Sequence, residues 1–353
     1  MKTAPQKPSP AQIRQALDDT TQRPRDLAAS LGVSEADLLA ARVDGDRVVR
    51  ISADPDALLP GVETLGEVMA LTRNDSIVSE VEGTFGGYRP GEHAGLVLGQ
   101  GIDLRIFRRH WVHGFAVVAE TKAGIRLSFQ VFDAAGDAVH KIYLPKGAEA
   151  SGWEALREAL RIEDQSDSLV TDARAPVEAA ILRPEVAAAL RADWAEMGDT
   201  HKFPALMRKH GINRLGAYRV VGAPWARPLA VASVGRILDR LAETGTPSMI
   251  FVGNAGCVQI FSGQIGPIKT MGPWLNVLDP GFDMHLRGDH IAEVWAIEKP
   301  ARRGPAISLE FFDAQGALIS QIFGHRTAEV DHNAAWSALV EEEVARLSQE
   351  EPA

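Results

Sequence analysis

Residues 127–136 read LSFQVFDAAG, and residues 307–316 read ISLEFFDAQG. In the first stretch Leu127, Phe129 and Val131 alternate with Ser128 and Gln130, the period of a strand with one face on a core. Phe132 then runs into Asp133-Ala134-Ala135-Gly136, a turn in which Asp bonds its own backbone and Gly tolerates a positive φ. The second stretch keeps the plan, with Phe312 followed by Asp313-Ala314-Gln315-Gly316. The separations are 307 − 127 = 180 and 312 − 132 = 180, and Gly281-Phe282-Asp283-Met284 follows Gly101-Ile102-Asp103-Leu104 by 281 − 101 = 180. One fixed offset across several strands and turns marks an internal duplication.

Outward from Phe132, the segments 112–119, 126–132 and 137–144 read as strands, rich in β-branched and aromatic residues. The turns Thr121-Lys122-Ala123-Gly124 and Asp133–Gly136 join them. Upstream, residues 1–10 are Pro- and Lys-rich and read as loose. Gln12 to Arg42 is helical, with Leu27, Leu31, Leu38 and Leu39 at helix spacing, a break at Gly32-Val33 and a fresh N-cap at Ser34. Leu58 to Thr72 reads as a further amphipathic helix. Ser30-Leu31-Gly32-Val33 echoes Lys209-His210-Gly211-Ile212, so the repeated unit is helices followed by an antiparallel sheet. The fold class is α+β with tandem duplication. The N-terminal repeat covers 1–165 and the C-terminal repeat 186–340. The acidic, polar run 163–180 marks a linker assigned to 166–185, and 341–353 is an acidic helical tail expected to fray into solvent.

At 353 residues, two domains are the prior. The composition, 45% apolar and 24% charged, is that of a globular protein with a large core, and the net charge of −10 argues against a nucleic-acid partner. Acidic neighbours (Asp18, Asp19, Glu35, Asp37) argue against reading the first helices as a DNA-binding helix-turn-helix. The single cysteine, Cys257, excludes an internal disulfide and a Cys-rich metal site. No apolar run reaches membrane-spanning length and the N-terminus lacks a signal-peptide core, so a cytoplasmic protein without membrane insertion is expected.

Positions that differ between the copies are where function can be asymmetric. Arg105 aligns with His285, Phe107 with Arg287, Lys141 with Gln321 and Tyr143 with Phe323. His201, in Asp193–Gly222, has no histidine counterpart near Thr20 and Thr21. A lone His among Asp199, Thr200 and Lys202 is ordinarily a solvated residue, and no His-x-x-x-His zinc pattern accompanies it. His110 and His113 fall in a strand reading on opposite faces, which argues against a shared metal. Asp133 and Asp313 are turn residues rather than a carboxylate pair. Nucleophile elbow, phosphate loop and dinucleotide fingerprint are all missing, and Gly99-Gln100-Gly101 is too short to count.

Longer stretches carry a resemblance. They are Leu65–Asn74, Asp103–Phe107 and His110–Ala116 in the first half, and Asp199–Phe203, Phe251–Asn254 and Met271–Pro280 in the second, with the Met-Gly-Pro-Trp run of 271–274 the most specific. From about Asp26 to Arg326 the chain resembles the bacterial haemin-trafficking and haemin-degrading proteins of the HemS/ChuS/HmuS type. The resemblance implies two similar halves, each a large antiparallel sheet with a helical cluster, and haem b (haemin) in a cleft between them. It implies His201 as axial iron ligand, Arg105 as the distal arginine with Phe107 beside the ring, and Phe251 as a pocket wall. Arg214, Lys299, Gln321 and Arg326 match polar residues around the propionates or the rim. Two departures stand out. Phe323 replaces a Tyr in Gln321-Ile322-Phe323-Gly324-His325-Arg326, and Phe261 stands where relatives often have His.

Haem is a flat apolar disc with a central metal and two carboxylates on one edge, so a site needs a nitrogen ligand, apolar walls and cations. Imidazole needs a partner on its other nitrogen, here Asp199 or a backbone carbonyl. Arginine matches a carboxylate bidentately, the role that suits Arg214 and Arg326. Arg105 has no free lone pair for iron, which leaves the sixth position exchangeable. The expected function is to receive imported haem and traffic or store it. The alternatives are porphyrin ring opening with oxygen or peroxide, and a binding module for another planar anion. Without a flavin or nicotinamide motif, electrons for degradation would come from a partner. A haem importer, a haem acceptor and an electron donor are the expected partners, and monomer and homodimer are both open.

Overall fold

The structure, a computed structural model, describes residues 7–122, 124–327 and 330–350. The first part of the chain forms α1 (Pro10–Asp18), α2 (Pro24–Leu31), α3 (Glu35–Ala40), β1 (Val48–Ile51), α4 (Pro55–Glu63), β2 (Glu67–Arg73), β3 (Ile77–Thr84), β4 (Gly95–Leu98) and β5 (Asp103–Ile106). Then come β6 (His113–Thr121), β7 (Gly124–Phe132), β8 (Ala138–Tyr143) and α5 (Ala150–Leu160). The second part repeats the order with α6 (Ala187–Ala195), α7 (Phe203–His210), α8 (Arg214–Val221), β9 (Ala226–Leu229), α9 (Ser233–Thr244), β10 (Ser248–Gly253) and β11 (Cys257–Gly263). It closes with β12 (Lys269–Met271), β13 (Trp274–Asp279), β14 (Phe282–Arg287), β15 (Glu293–Lys299), β16 (Ala306–Phe312), β17 (Leu318–Gly324) and α10 (Asn333–Glu350).

Two compact units result. Unit 1 holds residues up to Arg73, Glu80–Ala175 and Gly253–Gln259; unit 2 holds Asn74–Ser79, Pro176–Val252 and the chain from Ile260 onward. Within unit 1 the antiparallel order is β1-β6-β7-β8-β2, and within unit 2 it is β9-β15-β16-β17-β10, the same order in the second copy. The anticipated α+β duplication is therefore the observed fold.

The turns repeat atom for atom. Asp133 Oδ1 accepts from the amides of Ala135 (3.0 Å) and Asp137 (2.9 Å), and Asp313 Oδ1 from those of Gln315 (2.9 Å) and Ala317 (2.8 Å). Gly136 and Gly316 close these turns at φ +80° and +93°, a conformation cheap only for glycine. Unit 1 includes the β10–β11 tip, where Asn254 Nδ2 donates to the carbonyls of Arg73 (2.9 Å) and Val139 (2.8 Å). Unit 2 includes the β2–β3 tip, where Asn74 Nδ2 donates to the carbonyl of Ile319 (2.8 Å), at the position 319 − 139 = 180 residues on.

Some expectations shift. The helix anticipated over Leu58–Thr72 ends at Glu63, and β2 takes its second half. Thr64 caps α4 and Gly66 turns the chain at φ +77°, after which Val68, Ala70 and Thr72 are buried at period two. Of residues 1–10, expected to be loose, residues 7–10 are tied down: Ser9 and Gln12 form a capping box on α1, and Lys7 pairs with Asp37 at 2.7 Å, while residues 1–6 lie outside the described residues. The predicted 121–124 turn includes Ala123, which also lies outside them. Over 341–346 the acidic tail does not simply fray, and residues 351–353 lie outside the described residues. Glu341 pairs with Arg227, and the buried Glu343 takes Arg236 at 2.5 Å.

Candidate functional site

In unit 2, directly opposed residues on neighbouring strands share a face of the sheet. One row runs Phe251–Gln321–Glu310–Trp295, and the next Met249–Phe323–Ser308–Ile297. Helices α6 to α8 cover the Trp295 and Ile297 end of this face through Leu190, Trp194, Phe203 and Tyr218. On β10 and β17 the same face is only half-buried at Met249, Phe251, Gln321 and Phe323, whereas Ile250, Val252 and Ile322 on the other face are buried. The Phe251 and Phe323 rings meet edge-on at 5.1 Å. The helical layer thus leaves an apolar strip with one amide, Gln321, in it.

At the edge of that layer sits an ionic cluster. Glu310, inaccessible on β16, accepts on Oε1 from Lys299 Nζ (2.6 Å) and Ser308 Oγ (2.9 Å). On Oε2 it accepts from Tyr218 (2.6 Å) and from Arg214 Nη1 (2.8 Å). Arg214 Nη1 also donates to the Tyr218 hydroxyl at 3.1 Å, and its guanidinium lies 5.1 Å from the Phe203 ring centre. Burial raises the Glu310 carboxyl, but the Lys299 and Arg214 charges outweigh it and hold the group well below the usual carboxylate range. Burial also drives the Tyr218 hydroxyl up and the Lys299 ammonium down. Two cations face one carboxylate, so the cluster carries a surplus positive charge. Arg214 keeps 27% of its side-chain surface and lines a cleft of about 630 Å³ with Met207, Arg208, Phe312 and Leu318.

His201 lies in a 3-10 turn, Thr200–Lys202, that leads into α7. Asp199 caps this turn: its Oδ1 accepts from the His201 amide (2.9 Å) and from the ring Nδ1 (2.9 Å). The first of these bonds, with the second, pulls the Asp199 carboxyl below its ordinary value. Of the two orienting partners open from sequence, the carboxylate is the one in place. It sets the tautomer with the proton on Nδ1 and leaves the Nε2 lone pair free, on a side chain 94% exposed.

The remaining expected residues are distributed as follows. Lys299 is buried on Glu310 rather than standing at a rim. Arg326 forms an ion pair with Asp331 at 2.9 Å and donates to the Arg303 carbonyl. In unit 1, Arg105 on β5 pairs with Asp103 of its own strand and reaches the Leu104 carbonyl at 3.2 Å; Phe107, half-buried just beyond, donates its amide to the Gly256 carbonyl at 2.9 Å. Phe261 stacks on Phe282 at 3.6 Å. His110 ends a 3-10 turn and His113 opens β6; among the described residues no group of three or more His, Cys, Asp or Glu is placed to hold a metal ion. No helix among them is long and apolar enough to cross a membrane.

Reasoning from sequence missed Glu310 and Tyr218. A usable signal existed, since Glu310 interrupts an apolar strand at an inward position and replaces Gln130 of the first copy. The equivalent row in unit 1, Leu71–Lys141–Gln130–Phe115, shows what the exchange does. There Lys141 pairs with Glu35 at 2.7 Å, and no carboxylate stands in the row itself.

Comparison with known proteins agrees with this layout. The sequence profile of the haemin-degrading HemS/ChuX domain matches twice, at residues 32–160 and 211–342. The chain belongs to the HemS/ChuX family. It is 36% identical to the hemin transport protein HemS of Yersinia enterocolitica over 345 residues, covering 95% of this chain and 96% of HemS. Among solved structures, heme-binding holo-PhuS of Pseudomonas aeruginosa superposes with a TM-score of 0.89 at 41% identity, covering 95% of this chain and 99% of PhuS. The heme degrading enzyme ChuS of Escherichia coli O157:H7 gives 0.84 at 31% identity, covering 94% and 97%.

Proposed function

We propose that this HemS/ChuX-family protein binds haem through His201 and receives, holds and passes it on for iron use in the cytoplasm. The observation that carries the reading is the Asp199–His201 pair, because a carboxylate on Nδ1 fixes the tautomer and ring orientation and leaves an exposed Nε2 lone pair for a metal. The site residues fit the ligand. Phe251 and Phe323 offer apolar surface to a flat ring, and Arg214 offers a guanidinium to a carboxylate. Haem is the cargo, and what this chain supplies is one imidazole, one cationic edge and dry walls. Arg105 and Phe107 are proposed as haem contacts, Arg105 as a hydrogen-bond donor rather than an iron ligand. Gln321 and Arg326 are assigned to its polar edge. A haem importer, a haem acceptor and an electron donor remain the proposed partners.

The test compares the absorption spectra of wild type and His201→Ala with stoichiometric haemin. The expected outcome is a sharp Soret band in wild type and its loss or displacement in the variant; an unchanged band in His201→Ala sinks the assignment. Degradation is the second reading, favoured by the ChuS likeness. Incubating the complex with ascorbate in air separates the two. Loss of the Soret band with iron release in the presence of catalase supports oxygen-dependent degradation, loss only without catalase points to peroxide bleaching, and no loss supports a carrier.

A further inference from the structure

Arg214 is held by one corner only. Its Nη1 donates to Glu310 and to Tyr218, while Nε and Nη2, the paired edge that suits a carboxylate, donate to no described residue. The corner is fixed from behind by a wall of groups buried in unit 2. Glu310 has no surface, Tyr218 has none, and Ser308 and Lys299 fill the other carboxylate oxygen. The Tyr218 ring is itself locked, stacked on Phe203 at 5.9 Å and edge-on to Trp194 and Phe312. A guanidinium is planar, so fixing Nη1 in this way fixes the direction of the opposite edge. That side chain borders the 630 Å³ cleft beside Met207, Arg208 and Leu318.

We propose that Glu310 and Tyr218 are positioning residues that aim the free edge of Arg214, and that they thereby set the preference of this site for a ligand bearing a carboxylate. The charge count supports the role. Lys299 is spent on Glu310 and closed off from solvent, so Arg214 is the part of the surplus charge that a ligand can reach. Unit 1 lacks the device. Gln130 stands for Glu310, Leu39 occupies the helix position equivalent to Tyr218, and Glu35 opens α3 where Arg214 opens α8. A second copy of the fold without the clamp offers a carboxylate nothing comparable. Neither Glu310 nor Tyr218 touches the ligand in this scheme; both act through Arg214.

The inference rests on the haem reading above, and the experiment keeps the two apart. Wild type, Glu310→Gln, Tyr218→Phe and His201→Ala are titrated with haemin and with its dimethyl ester, which keeps the iron and ring but has no free carboxylate. The readout is the ratio of the two dissociation constants, because a general loosening of the fold weakens both ligands alike. The expected result is that wild type prefers the diacid and that this ratio falls about tenfold in Glu310→Gln. In Tyr218→Phe it falls in the same direction, with the His201-dependent Soret band kept in both variants. A ratio unchanged or raised in a folded variant overturns the inference while leaving haem binding intact. Should Glu310→Gln fail to fold, Tyr218→Phe, which loses a single oxygen atom, decides on the same criterion. If no His201-dependent band forms with either porphyrin, the haem reading itself fails and the inference falls with it.

Discussion

His140 shows how much a single buried side chain can set. It sits on β8 inside unit 1, with Nδ1 2.8 Å from the Thr72 hydroxyl and 3.9 Å from the Cys257 sulfur. Trp111 stacks on it at 6.1 Å, Phe85 meets it edge-on at 5.9 Å, and Nε2 has no hydrogen-bond partner among the described residues. Burial pushes the imidazole from its ordinary 6.5 down to about 3. Between those values the unfolded chain binds a proton that the folded chain refuses, so stability is full above pH 6.5 and declines as pH falls toward 3. The slope from this one group is about 1.4 kcal/mol per pH unit. From about pH 7 to pH 5 wild type should therefore lose about 2 kcal/mol more than His140→Leu. Urea unfolding at both pH values measures the difference, and equal losses would show that His140 is not held neutral by burial. At this scale the sequence was only partly legible. His201 drew attention through resemblance and not through spacing, and Glu310 passed as an ordinary strand residue because three of its four partners arrive from α8 and β15.

At the scale of elements, the two β-turns after β7 and β16 were readable in full from residues 133–136 and 313–316. Asp, with its side-chain oxygen three bonds from Cα, can satisfy the turn amides locally, and no distant residue is needed. Because both turns use the same pair of bonds, Asp133→Ala and Asp313→Ala should each cost about 1–2 kcal/mol and agree within about 0.5 kcal/mol. Equilibrium unfolding of the two variants tests this; a cost confined to one turn would show that the repeat had diverged in how its hairpins are held. The boundary of α4 was not readable in the same way. Residues Leu58–Thr72 are apolar at spacings that suit a helix over part of their length and a strand over the rest. What separates the two is Gly66 at a positive φ and the pairing of Met69, Ala70 and Leu71 with Tyr143, Ile142 and Lys141, partners 70 to 74 residues away. The C-terminal helix was misjudged for a similar reason. Its acidic run looked solvated until Arg227 and Arg236 were seen beside it.

On the scale of the whole molecule, each compact unit contains a hairpin tip from the other half of the sequence. The Trp111 indole in unit 1 donates to the carbonyl of Gly256 at 2.9 Å, and the amide of Arg287 in unit 2 donates to Ser76 at 2.8 Å. A chain cut between Ala175 and Pro176 removes residues 253–259 from unit 1 and 74–79 from unit 2, and these hydrogen bonds with them. Fragments 1–175 and 176–353 made separately should lack a cooperative thermal transition, and made together they should recover one. Cooperative unfolding of either fragment alone, followed by calorimetry, would show that the exchanged tips are dispensable.

The amino-acid sequence on its own determined the duplication, the strand periodicity, the turns and the family, because each of these is written in neighbours along the chain or in a spacing of 180 residues. Only the tertiary structure decided which copy carries a surplus buried charge, and where the free edge of Arg214 lies. The physical reason is that a carboxylate such as Glu310 has no meaning as an isolated letter. Its charge state and its role depend on the two cations that folding brings within hydrogen-bond distance, and those come from two separate elements, α8 and β15.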